Sequence, residues 1–225
     1  MVRQRIFSAA ASNSVSGVSL SKGSGRSRGK KKPSLRDLSR QMPSAESFAQ
    51  FMNELDDMED RAVVLILSSM VENFLEMAIT STFVEMDDKT LANLFSNPNA
   101  PLSSFSAKIA VGHALGVYAT GFRRHLDGLR IIRNAFAQAM LPISFNEPLI
   151  IDECKKLDPQ VLTNLAYQQE SDAPKERFIS VGRTLAVHLM NYTHRSRQVN
   201  GTFGRRQPSP DKFVPRRPPK TDSQN

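Results

Sequence analysis

Apolar and polar positions alternate with a helical period through most of the middle of the chain. After Pro43-Ser44, the residues Phe48, Phe51, Met52 and Leu55 recur three or four apart, which predicts a helix capped by Ser44. Asp56, Asp57, Glu59 and Asp60 then put acid ahead of a second helix over 60–82, where the helix dipole favours it. Val63, Leu67, Met70, Val71, Phe74, Leu75 and Met77 or Ala78 give that helix a broad apolar stripe, with Glu72, Asn73 and Glu76 at its edge. A stripe this wide predicts a central helix touched on two sides. Asp88 is expected to cap a short helix through Leu91, Leu94 and Phe95.

The stretch from Asn97 to Ala139 is the most distinctive. Asn97-Pro98-Asn99-Ala100-Pro101 reads as a rigid turn, and Ser103, Ser104 or Ser106 can cap the helix that follows. Two helices are expected over 103–117 and 120–139, with Gly116 and Gly121 bracketing their connection. Leu126, Leu129, Ile132 (or Arg133) and Phe136 share one face of the second, so Arg133 and Asn134 sit at or beside a buried surface. A charge there is costly without a partner. Pro142 ends this helix, a short one follows over 148–157, and Asp158-Pro159 opens another through Val161, Leu162 and Leu165. Phe178, Val181, Leu185, Leu189 and Tyr192 mark a last long helix over 174–194. Neither a strand pattern nor a tandem repeat is evident. The chain reads as all-α: a single helical bundle of about seven to eight helices over 44–194, with disordered basic tails at 1–43 and 195–225.

Charge sharpens that division. Residues 1–43 hold ten Lys/Arg against one Asp, and residues 195–225 hold eight against two. Residues 44–194 hold twelve basic and nineteen acidic side chains, so nets of +9, +6 and −7 lie behind the overall +8. The basic pI thus belongs to the tails. An acidic core argues against a folded basic DNA-binding surface and leaves non-specific contact with nucleic acid to the arms, through Lys30, Lys31, Lys32, Arg205 and Arg206. The Arg- and Ser-rich N-terminus also has the composition of a transit peptide, although a solvated arm fits it better.

Candidate chemistry changes the picture little. Cys154 is the single cysteine, which excludes an intramolecular disulfide and fits a reducing cytoplasm. It reads as a small core residue. His113, His125, His188 and His194 have no metal-ligand spacing among themselves or with Cys154, so no metal or cofactor is expected. No phosphate loop, dinucleotide fingerprint or nucleophile elbow is present. No uninterrupted apolar run approaches the roughly 18 residues of a membrane span, so no membrane association is expected.

Several segments taken together resemble the mannitol operon repressor family, within the HEPN-like helical superfamily. They are Asp60-Arg61-Ala62 with Glu72; Leu94-Phe95; Asn99-Ala100-Pro101-Leu102-Ser103-Ser104-Phe105-Ser106-Ala107-Lys108-Ile109; Ile132-Arg133-Asn134-Ala135-Phe136-Ala137; and Phe145-Asn146-Glu147-Pro148 followed by Cys154 and Leu157. The resemblance covers about residues 44–170. It implies a transcriptional regulator, a repressor of sugar-alcohol uptake. Ribonuclease members of the superfamily carry a histidine four to six residues beyond the arginine of an Arg-Asn pair. Here Gln138 stands at that spacing from Arg133, and glutamine cannot act as a general acid or base. Arg133 is therefore expected to be a buried structural hub with Asn134, paired to a carboxylate such as Glu72 or Asp60. The expected function is non-enzymatic regulation through protein partners, with a homodimer among them. A direct DNA-binding repressor using its tails, and a HEPN-type RNA-acting protein without its catalytic histidine, stay open beside it.

Overall fold

The computed structural model describes residues 41–158 and 173–203, with side chains as far as residue 199. Seven α-helices lie in these segments, and no strand is found among the described residues. They are α1 (Ala45–Glu54), continued by a 3-10 turn (Leu55–Asp57), α2 (Asp60–Thr82), α3 (Asp88–Phe95), α4 (Phe105–Ala114), α5 (Thr120–Gln138), α6 (Pro148–Lys155) and α7 (Pro174–Phe203). The helix expected after Pro159, and the arms bearing Lys30, Lys31, Lys32, Arg205 and Arg206, lie outside the described residues.

α2 is the axis of the bundle. It packs against α4, α5 and α7, and Val63, Val64, Leu67, Val71, Leu75, Ala78 and Ile79 are all fully enclosed. The two-sided stripe read from its sequence is this multiple contact. α2 is also long and apolar enough to cross a membrane by length and composition, yet more than half of that stretch is buried inside the bundle. Searching for uninterrupted apolar runs missed this, because its few polar residues break the run without making the helix polar.

Gly182 explains how closely α7 approaches α2. A methyl group there would lie 2.6 Å from Leu67 Cδ2, so glycine is what permits the approach. The end of α4 is closed by Gly116, whose φ of 69° is left-handed. The Gly116 N–H donates to the His113 carbonyl and the Val117 N–H to the Gly112 carbonyl, the paired bonds of a Schellman turn.

Several sequence expectations need correction. Asp87, not Asp88, caps α3: its backbone is extended and its carboxylate accepts the Thr90 N–H at 2.7 Å. Of the three candidate serines, Ser104 is the cap of α4 and accepts the Ala107 N–H. α4 and α6 are shorter than expected, because α4 yields to the Gly116 turn and α6 ends where the Leu157 N–H turns back to the Cys154 carbonyl. α7 runs nine residues beyond His194, to Phe203, so the C-terminal tail does not begin at Arg195. From His194 to Val199 no side chain is buried, so the apolar period fades there while the helix continues.

Candidate functional site

The polar residues of the distinctive stretch converge where α4 and α5 meet α2. Asn99 adopts a left-handed φ of 64°, a conformation asparagine tolerates better than most side chains. This reverses the chain. The Leu102 N–H then bonds back to the Leu94 carbonyl, Leu102 and Phe105 enter the core, and exposed Pro101 and Ser103 lead into the Ser104 cap. Phe136, on α5, is fully buried and stacks near Phe145.

Lys108 is the centre of this arrangement. Its side chain is only 6% exposed, and its ammonium reaches Glu72 Oε1 at 2.9 Å and Glu76 Oε2 at 3.0 Å. The two glutamates are one turn apart on α2, where like charges repel. The buried ammonium between them offsets that repulsion and lets both enter the protein. Arg133 completes the group more loosely, with Nη2 3.6 Å from Glu72 Oε2 and Nη1 donating to Asn134 Oδ1 at 3.3 Å. Two cations thus balance two carboxylates.

Two expectations change here. Arg133 is one-third exposed, so it is not a buried hub; the buried cation is Lys108, which the sequence presented only as part of a motif. Asp60 does not join the cluster, since it lies twelve residues before Glu72 on α2, roughly 18 Å along the helix. It accepts the Phe145 N–H at 3.0 Å and pairs with Lys175 at 3.5 Å.

Beside the cluster is a shallow pocket of about 180 Å³, lined by Glu72, Ser103, Ser104, Phe105, Ser106, Arg130, Arg133 and Asn134. No histidine or cysteine lines it. Gln138 ends α5 and is exposed. As arranged, the pocket presents hydroxyls, an amide and ion-paired charges. Cys154 is buried and its thiol is pushed up to about 12 by burial, so it is not a poised nucleophile. Burial also holds His125 and His188 below the usual imidazole range. Among the described residues no group of three or more His, Cys, Asp or Glu is placed to hold a metal ion.

A second feature escaped the sequence reading. Arg61 donates through Nε to the Phe136 carbonyl at 3.0 Å and through Nη2 to the Ala139 carbonyl, while its neighbour Asp60 holds the Phe145 N–H. The first turn of α2 therefore grips the connection between α5 and α6 at both ends. Between those grips Met140 is 99% exposed and Leu141 75%, and Leu149 in the first turn of α6 is 80% exposed. The signal available in the sequence was a Met-Leu pair just before Pro142 that belongs to no helical period. Family models, curated proteins and solved structures contain no match to this chain.

Proposed function

We propose that this protein is a non-enzymatic, cytoplasmic regulator of the mannitol operon repressor kind, acting through contact with a protein partner. The observation that carries this reading is the apolar loop at Met140 and Leu141, held at both ends by Asp60 and Arg61 and left open to water together with Leu149. Scattered exposed leucines are ordinary on protein surfaces. The adjacent Met140–Leu141 pair on a backbone held at both ends is different, because a partner that covers it has little further chain to order. The charge-matched Lys108 cluster supports the same reading: its charges are spent on one another, which suits a scaffold. Resemblance to the repressor family supplies the regulatory role.

The test is complementation of a deletion strain, read by transcript profiling. Wild-type protein restores the parental transcript pattern. Leu141→Asp/Leu149→Asp, which changes only exposed side chains, should accumulate as folded protein and fail to restore it. Full restoration by that variant would reject the reading.

A further inference from the structure

The apolar loop carries a sulfur atom at its most open position. Met140 is 99% exposed, and among the described residues it is the one exposed methionine. Met52 is buried, and the other described methionines are half-buried. The backbone leaves the Met140 thioether nowhere to withdraw. Arg61 holds the carbonyl of the preceding residue, Ala139, Asp60 holds the Phe145 N–H, and Pro142 fixes its own φ between them. The single cysteine does not compete. Cys154 is 1% exposed and burial pushes its thiol up to about 12, so it offers no accessible thiolate. Among the described sulfurs, a two-electron oxidant therefore meets Met140 first, inside the loop that the docking reading uses.

We infer that Met140 is a redox modification site, and that its oxidation to the sulfoxide by hydrogen peroxide releases the protein partner. The inference rests on the docking reading. In the step, a sulfur lone pair attacks one peroxide oxygen, the S–O bond forms as the O–O bond breaks, and the other oxygen leaves as water after proton transfer. The methionine loses two electrons and the peroxide gains them. The product replaces a soft apolar sulfur with a polar S–O group. An apolar partner surface closing over the loop would bury that oxygen without a donor, which opposes the contact. The unmodified thioether meets the same surface without that cost.

The experiment has two readouts. Purified full-length protein is treated with dilute hydrogen peroxide and its methionines are followed by peptide mass spectrometry. Met140 should accumulate sulfoxide at least tenfold faster than Met52. In the native host, a photoreactive phenylalanine at Leu149 reports partner contact, and each strain is compared with itself before and after a peroxide pulse. With methionine at position 140 the adduct should fall at least fivefold. With Met140→Leu, whose side chain cannot form a sulfoxide, it should change less than twofold. Met140→Gln, polar and of similar length, should give at least fivefold less adduct without any peroxide. Oxidation of Met140 no faster than Met52, an equal fall with and without Met140→Leu, or full adduct from Met140→Gln would overturn the inference and leave the docking reading standing. Absence of the adduct from untreated cells with methionine at position 140 would overturn the docking reading, and this inference with it.

Discussion

Lys108 illustrates how far a residue's type can mislead. Lysine usually lies in water, and here it is buried between two carboxylates one turn apart. Removing it leaves Glu72 and Glu76 facing each other inside the protein. Lys108→Ala should therefore cost about 3–5 kcal/mol, the usual penalty for breaking a buried pair. Arg133→Ala should cost under about 1 kcal/mol, because its guanidinium is one-third exposed and water screens the pair. Urea denaturation of both variants checks the contrast, and a larger loss at Arg133 would reverse our account of the cluster. The histidines give a pH dependence. His125 Nδ1 and His188 Nε2 are buried without hydrogen-bond partners, and burial holds both pKa values below that of a free imidazole. Asp158 near His125, and the backbone of Val117 near His188, pull the other way without reversing the direction. A depressed folded pKa means that the unfolded chain takes up protons first. The contribution is complete above about pH 6.5 and is lost as pH falls toward the folded values. The melting temperature should drop between pH 7.5 and 5.5, and less steeply in His125→Leu/His188→Leu. Equal slopes would show that other groups set the acid limit.

At the scale of elements, the contact between α2 and α7 holds the bundle together, and Gly182 sets its spacing. Alanine is the better helix former by about 1 kcal/mol, yet Gly182→Ala should destabilise, since its methyl group would press on Leu67. A raised melting temperature for this variant would contradict the close packing described. The elements themselves were largely legible. α2 was predicted over 60–82 and spans Asp60–Thr82, because a broad stripe bounded by acid and polar residues leaves few alternatives. Ser44 was legible as a cap because it precedes the first apolar period directly. The end of α7 was not legible, because the helix buries no side chain from His194 to Val199 and needs no apolar period there, and arginine and glutamine are good helix formers without one. The candidate site was half legible. Sequence placed Glu72, Lys108 and Arg133 in motifs, but which cation is buried depends on how α4 lies across α2, and no local pattern records that.

At the scale of the whole molecule, we propose a helical scaffold whose polar cluster serves structure and whose exposed apolar loop serves contact. Purified protein should not cleave RNA in the absence of metal. The motivation is a pocket lined by Arg133 and Asn134 with no histidine, and a glutamine, which cannot act as a general acid or base, at position 138. Cleavage that disappears in Arg133→Ala would return the protein to the RNA-acting class. The most direct test of the docking reading is photo-crosslinking in the native host, with a photoreactive phenylalanine placed singly at Leu141, at Leu149, and at exposed Asp152 as a control beyond the loop. We predict that positions 141 and 149 both yield one and the same discrete adduct band with a protein partner, and that position 152 yields little of it. Equal labelling at all three positions, or no discrete adduct at 141 and 149, would contradict the account.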